Sequence, residues 1–380
     1  MVRSGLARAY TLVGDDRKAA AELSVLLGNP EDAELLEALL GIANNLRHGN
    51  IGTGLASANS LVASYPDHKQ AWLALAMLER ASGNSVGAEA AATKALQIDA
   101  IFVPAMQIRA SLRQELGNLK GALSDLDAVL AANSDDSSST IRYAFLLGKG
   151  GDSPAAIALL ENYLDAQPES IDVATALSQM YLVIGDVENA KRVLHDAREV
   201  DENDRRVQML AARIDHGEGR RELALQSMTT LAQRFPDDLD VLQTLVRMQL
   251  ASADFRGALE TLAEVENVVE KLPGLLSFRC RALLGDHQTD AAAICAEQLV
   301  RMAPDSPEAL GVLGLAMLAN GNPEAAVEPF RSAYNATGST EHVVGLASAL
   351  SPKDPAAAET LLQDHLEQHP EDVNAANLLG

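Results

Sequence analysis

The stretch GNSVGAEAAATKALQIDA, residues 83–100, decides the fold because altered copies of it return along the chain every 34 residues. Its first glycine recurs, after Gly83, as Gly117, Gly151, Gly185, Gly219 and, following Ala253 and His287, as Gly321. The alanine five residues after that glycine recurs at every 34-residue step, as Ala88, Ala122, Ala156, Ala190, Ala224, Ala258, Ala292 and Ala326. Self-similarity at a fixed period of about 20–50 residues indicates a repeat array, in which each unit packs mainly on its neighbours.

Each repeat predicts a pair of helices. When the recurring alanine is numbered position 20, apolar or small residues fall at positions 4, 7, 8 and 11 and again at 20, 24 and 27. Each set lies on one face of a helix. The glycine at position 15 ends the first helix, where a residue with positive φ is favoured. Small residues at positions 8 and 20 allow close approach within a hairpin, and larger residues at 24 and 27 fill the space between hairpins. The sequence therefore predicts an all-α fold.

The combination of period, small positions, turn glycine and closing proline (Pro168, Pro236, Pro304) resembles the tetratricopeptide repeat family. The resemblance implies a right-handed superhelical solenoid of about 10–11 antiparallel helix pairs. We expect one array over residues 1–380, with repeats at 1–34 (partial), 35–68, 69–102, 103–136, 137–170, 171–204, 205–238, 239–272, 273–306, 307–340, 341–372 (shortened) and 373–380 (partial). Because residues 373–380 read as half of another first helix, we interpret the chain as part of a longer protein.

Two stretches depart from the repeat. The polar run NSDDSSST, residues 133–140, predicts a solvated linker between hairpins. The run SPKDP, residues 351–355, falls at the turn of the shortened repeat.

Composition narrows the class of partner. The chain has 53 acidic and 30 basic residues, a formal net charge of −23. Such a surface repels phosphate backbones, so we expect no nucleic acid partner. No segment reaches the roughly 18 apolar residues of a membrane span. Catalytic motifs are absent from the sequence, and we expect neither an enzyme nor a cofactor or metal. His365 and His369 lack the glutamate of a zinc protease motif, so we interpret them as an exposed helix end.

Cys280 and Cys295 fall in one repeat and match no zinc-binding spacing. Small buried packing residues are the simpler interpretation, and a disulfide between the two helices is the alternative for an oxidising compartment.

A row of arginines is the clearest indication of a binding site. The resemblance implies an inner surface lined by first helices, which usually binds a peptide or protein segment. Position 9, on the groove side of the first helix, is arginine in three successive repeats: Arg213, Arg247 and Arg281. A guanidinium binds carboxylates through two hydrogen bonds, so the row predicts an acidic peptide or anionic polymer as ligand. Pairing of these arginines with acids of a neighbouring helix is the alternative. We extend the candidate groove to Arg80, Arg142, Gln179 and Gln243.

We therefore expect a non-enzymatic protein–protein interaction scaffold. The acidic, alanine-rich repeats also resemble bacterial envelope repeat proteins, including exosortase-linked lipoproteins that accompany exopolysaccharide export. That resemblance favours the periplasm or cell envelope over the cytoplasm. Two alternatives stay open: a structural spacer that associates end to end with other copies, and a regulatory or substrate-binding array of a larger enzyme.

Overall fold

The structure, a computed structural model, describes residues 33–379. The partial repeat predicted near residues 1–34 falls almost entirely outside that range. The described residues form 22 helices and no strand. These helices are α1 Ala33–Arg47, α2 Ile51–Ser64, α3 Lys69–Ala81, α4 Ser85–Ile98, α5 Val103–Glu115, α6 Leu119–Ala132, α7 Ser137–Lys149, α8 Ser153–Ala166, α9 Ile171–Val183, α10 Val187–Val200, α11 Arg205–Gly217, α12 Arg221–Arg234, α13 Leu239–Ala251, α14 Phe255–Ala263, α15 Glu266–Val269, α16 Pro273–Gly285, α17 Thr289–Met302, α18 Pro307–Ala319, α19 Pro323–Thr337, α20 Thr340–Leu350, α21 Pro355–Gln368 and α22 Val373–Leu379.

The chain divides into two compact units between Glu202 and Asn203. The first unit holds α1–α10 and the second holds α11–α22. Inside each unit the helices pair in chain order, as the hairpin pattern predicts. First helices also pack on the first helix of the next repeat, as α3 does on α5 and α13 does on α16, whereas second helices of the described repeats do not pack on one another to that extent. The first helices therefore form the more tightly packed side of each unit.

The small positions of the repeat mark where helices touch. All eight recurring alanines at position 20 have no exposed surface. Gly314, at position 8 of its repeat, explains how one hairpin accommodates a larger side chain: a Cβ there would lie 2.6 Å from the Phe330 ring. Gly345 on the following first helix meets the same ring, with a virtual Cβ at 2.3 Å. A phenylalanine therefore fits at Phe330 because two facing glycines leave room for it.

The turn between the two helices is nearly the same in the repeats from 35–68 to 307–340, whereas the run at 351–355 in the shortened repeat has no residue with positive φ. The position-15 residue of the recurring turn has positive φ, with φ of 86° at Gly83. Ala253 and His287, where the glycine is missing, adopt the same conformation with φ of 58° and 59°. The next residue is frequently Asn or Asp and caps the second helix; Asn84, for example, accepts a hydrogen bond from the Gly87 amide at 3.0 Å. The recurrence of Asn and Asp directly after the turn is visible in the sequence and could have located the start of those second helices.

One predicted linker is shorter than expected. Only residues 133–136 of the polar run lie outside a helix, because α7 begins at Ser137. Asp136 caps that helix by accepting from the Ser139 amide at 3.1 Å. Thr140 is buried, and its hydroxyl donates to the Asp136 carbonyl oxygen at 2.9 Å. The prediction of a solvated linker over residues 133–140 was wrong in its second half, because capping lets serine and threonine start a helix.

Cys280 and Cys295 form a disulfide that joins α16 to α17 inside one hairpin. Both residues are buried, as the packing interpretation expected, but they are bonded as well. Cys280 occupies position 8, and the close approach of helices at that position brings its Cα to 5.5 Å from that of Cys295. The alternative left open by the sequence is the one adopted.

Candidate binding grooves on the first helices

The position-9 row of the second unit lies along packed first helices. Arg213, Arg247 and Arg281 belong to α11, α13 and α16, and each of these helices packs on the next. The three side chains therefore follow one side of the unit. Their surroundings differ, and the differences decide which of them is available to a ligand.

Arg213 has no hydrogen bond or ion pair with any residue in the described part of the chain. Its side chain reaches solvent, yet burial lowers the pKa of its guanidinium, with the positive charge of Arg247 as the second cause. Arg213 is therefore exposed to solvent and close enough to Arg247 for mutual repulsion.

Arg247 is likewise exposed and has no acidic partner among residues 33–379. Its Cζ atom lies 6.0 Å from the ring centroid of Phe278 on α16. A guanidinium over an aromatic face gains a weak cation–π attraction, which positions it without neutralising its charge. Arg213 and Arg247 thus form a pair of neighbouring cations, which we call the arginine pair.

Arg281 differs from the arginine pair because an acid already faces it. Its Nη2 atom lies 3.5 Å from Glu341 Oε1, while its buried Nε has no hydrogen-bond partner in the described residues. Gln243 is half-buried on α13, beside the row. Of the three position-9 arginines in the second unit, Arg213 and Arg247 therefore have no acid partner and Arg281 has one.

Acid pairing is the commoner condition of arginines in this unit. Six others each contact a carboxylate: Arg205 with Asp238, Arg206 with Asp204, Arg220 with Asp215, Arg256 with Asp286, Arg279 with Glu266 and Arg331 with Glu328. Arg213 and Arg247 differ from these because they are neighbouring arginines that both lack an acid partner, in a chain with a net charge of −23.

In the first unit the candidate arginines have partners. Arg80 forms an ion pair with Glu115 at 2.5 Å. Arg142 donates a hydrogen bond to the Ser111 hydroxyl, and no acid among residues 33–379 contacts it. Gln179 is exposed on α9 of this unit. The proposed extension of the row thus contains one neutralised arginine and one that keeps its charge.

The histidine pair does not form an exposed helix end. His365 is buried, with its Nε2 2.9 Å from Asp372 Oδ2 and its Nδ1 3.1 Å from the Tyr334 hydroxyl. The hydrogen bond from the Thr340 hydroxyl and then that from the Ala375 amide lower the pKa of Asp372 to about 2. That interpretation of His365 was wrong, because Tyr334 and Asp372 bind its ring and it is buried; of the two histidines, His369 is the exposed one. Within residues 33–379, no three His, Cys, Asp or Glu residues cluster as metal ligands would.

In the same described range, every helix is too short or too polar to cross a membrane.

Comparison with known proteins agrees with the repeat pattern. Two tetratricopeptide repeat models match, one over residues 147–214 and the other over residues 44–100 and 280–340. No curated protein sequence is significantly similar to the chain.

Solved structures extend the likeness in fold. Yeast Tom70 aligns with a TM-score of 0.58 at 14% identity, covering 99% of this chain and 91% of its own. The APC/C hetero-tetramer Cut9–Hcn1 aligns with a TM-score of 0.54 at 14% identity, covering 98% and 88%. A tetratricopeptide repeat protein from Parabacteroides merdae aligns with a TM-score of 0.50 at 16% identity, covering 66% and 98%. The solved structures agree with the fold, and the period, the packing of small residues and the two family models agree that the chain belongs to the tetratricopeptide repeat family.

Proposed function

We propose that the chain is a non-enzymatic scaffold whose second unit binds an acidic segment of a partner protein through the arginine pair. The tetratricopeptide fold itself supports a protein–protein interaction scaffold. The finer assignment depends on one observation: Arg213 and Arg247 are neighbouring, solvent-reachable guanidinium groups with no acid in the described residues to balance them.

Such a pair favours an anionic ligand for a physical reason. Each arginine is destabilised by its neighbour's charge, and Arg213 is also partly desolvated. A ligand carboxylate removes the repulsion and supplies two parallel hydrogen bonds per guanidinium. The arginine pair would thus bind carboxylates more strongly than isolated surface arginines do.

The rest of the row has a smaller part in this proposal. Arg281 is already paired with Glu341, so a ligand would have to displace that carboxylate. Gln243 offers an uncharged amide beside Arg247. We therefore assign the arginine pair the main contribution and Gln243 and Arg281 a minor one.

The test reverses both charges in the full chain with Arg213→Glu and Arg247→Glu. We expect a fluorescent oligoglutamate peptide to bind the parent and to lose at least about 100-fold in affinity with the variant, because charged hydrogen bonds contribute about 1.5–3 kcal/mol each. The thermal melting temperature should change little, because neither side chain has an internal hydrogen bond or ion pair and Arg247 loses only a weak cation–π contact with Phe278.

A matched control separates the site from the net charge. Arg221→Glu with Arg301→Glu makes the same change in net charge at exposed positions of the second helices α12 and α17. The control should bind the peptide as the parent does. Equal binding by the arginine-pair variant and the parent would overturn the proposal, and tighter binding of polygalacturonate than of the peptide would replace the acidic segment with an anionic polymer.

The disulfide favours an oxidising location for this scaffold. Structural disulfides persist in secreted and periplasmic proteins and are rare in the cytosol. The Cys280–Cys295 bond therefore supports the proposal that the scaffold works in a bacterial envelope assembly for secretion or polysaccharide export. Trapping thiols in freshly lysed cells tests this, because alkylation of both cysteines in the native protein would contradict an oxidising compartment.

A further inference from the structure

We propose that the first unit contains a second binding site, a groove of mixed apolar and cationic character that takes an amphipathic acidic segment. The site rests on the proposed function only in that the chain binds protein segments, and it does not depend on the arginine pair. It is formed by the first helices α3, α5 and α7, and we call it the mixed groove.

The mixed groove consists of two adjoining clefts. One has a volume of about 320 Å³ and is lined in part by Leu73, Met77 and Ile108. The other has a volume of about 460 Å³ and is lined in part by Ile141 and Phe145. The clefts share the side chains of Arg80, Ser111, Ser138 and Arg142. Together they offer room for more than one side chain of a ligand.

At position 9, where the second unit has arginines, α3 and α7 of the first unit have apolar side chains. These are Met77 and Phe145, which are 43% and 55% exposed. Large apolar side chains left this open are favourable contacts for an apolar ligand group, since covering them removes their surface from water. A purely acidic ligand would leave that gain unused.

The charge of the mixed groove comes from Arg142 alone. Arg80 is neutralised by Glu115, which also accepts from the Ser85 hydroxyl at 3.2 Å. Arg142 contacts only the Ser111 hydroxyl among residues 33–379, and that hydroxyl donates its own proton to the Gln107 carbonyl oxygen at 3.0 Å. Most guanidinium N–H groups of Arg142 are therefore available.

The acid nearest in sequence is already occupied. Asp136 accepts from the Gln107 amide at 2.6 Å and from the Ser139 hydroxyl at 2.8 Å, and it caps α7. An uncompensated cation between two exposed apolar side chains is complementary to a ligand with a carboxylate next to an apolar group. The occupant that fits is a peptide segment in which leucine or phenylalanine lies near glutamate or aspartate.

The test is a double-mutant cycle in the full-length chain. The probe is a short fluorescent peptide of alternating leucine and glutamate, compared with versions in which glutamine replaces glutamate or serine replaces leucine. We expect Arg142→Gln to weaken binding of the first peptide by roughly tenfold to 100-fold. The same variant should not change binding of the glutamine peptide, because the partner charge is absent.

A second variant tests the apolar side chains of the mixed groove. Phe145→Ala should weaken the leucine–glutamate peptide several-fold and leave the serine–glutamate peptide unaffected. Lys120→Gln and Val86→Ala are the controls, since they remove a charge and an exposed apolar surface from second helices of the same unit. Both controls should bind as the parent does.

Failure of this site is distinguishable from failure of the arginine pair. Arg142→Gln should change oligoglutamate binding little. The Arg213→Glu, Arg247→Glu variant should still bind the leucine–glutamate peptide more tightly than the serine–glutamate peptide, because that difference comes from the mixed groove. No binding of that peptide by the parent, or equal loss with Arg142→Gln and Lys120→Gln, would overturn the mixed groove.

Discussion

Gly185 and Ala253 occupy the same turn in two repeats, and the backbone is left-handed at both, with φ of 81° and 58°. Nothing lies within 4 Å of a Cβ placed at Gly185, so space does not require the glycine. The left-handed conformation costs a non-glycine residue roughly 1–2 kcal/mol. Hairpin packing therefore imposes the turn, and the residue at this position only determines its cost.

The two repeats without the glycine also differ in their second helices. In repeat 239–272 that helix ends at Ala263 and is followed by the four-residue helix α15. In repeat 273–306, where His287 occupies the turn, the disulfide joins the two helices. Of the two turns in which a non-glycine residue is left-handed, the one at His287 therefore belongs to a hairpin with a disulfide, and the one at Ala253 does not.

The largest expected effect tests that covalent bond. Replacing both cysteines in a Cys280→Ala, Cys295→Ala variant should lower the local free energy of unfolding by about 3 kcal/mol, the value for closing a loop of about 15 residues. Hydrogen exchange of α16 and α17 measures it. A reducing agent should have the same effect on the parent and none on the variant. Unchanged protection would mean that helix packing alone holds this hairpin.

An intermediate effect tests the packing that imposes the turn. Ala190→Leu should cost roughly 1–3 kcal/mol, because its Cβ is fully buried between the helices of a glycine-containing repeat. Urea denaturation measures this change in the free energy of unfolding. The control Ala158→Leu adds the same atoms at an exposed position of α8 and should be nearly neutral. Equal denaturation midpoints for the two variants would show that the recurring alanines do not mark the helix contact.

The smallest effect tests the turn itself. Ala253→Gly should stabilise the protein by about 0.5–1 kcal/mol, since relief of the left-handed strain exceeds the entropy that glycine adds to the unfolded chain. The reciprocal change Gly185→Ala should destabilise it by a similar amount. Thermal melting of both variants provides the measurement. Opposite signs would indicate that local contacts, and not φ, set the cost of this turn.

The sequence was sufficient for the features that repeat. The alanine at position 20 recurs in eight successive repeats, so its burial in each follows from periodicity. Features unique to one repeat were not predictable in this way. The start of α7 was not predicted, because the polar residues around its capping residue Asp136 resemble a linker when only hydrophobicity is considered. His365 is buried beside Tyr334 and Asp372, which form hydrogen bonds with its ring and lie outside its own helix.

The candidate site shows the same limit. Periodicity placed the position-9 arginines on first helices, but their charge balance depends on residues far along the chain. Glu115 neutralises Arg80 from 35 residues away, and Glu341 reaches Arg281 from 60 residues away. Such pairings depend on side-chain geometry that a repeat pattern does not contain. Which arginines keep a free charge therefore became visible only in the structure.

The disulfide also affects how the chain responds to a stretching force. An unfolding repeat of 34 residues releases roughly 120 Å of extended chain. The bond between Cys280 and Cys295 encloses 15 residue steps, so about 50 Å of that length stays locked while the bond is intact. Repeat 273–306 would then lengthen by little more than half as much as its neighbours, and it would act as a short, stiff link in an otherwise extensible chain.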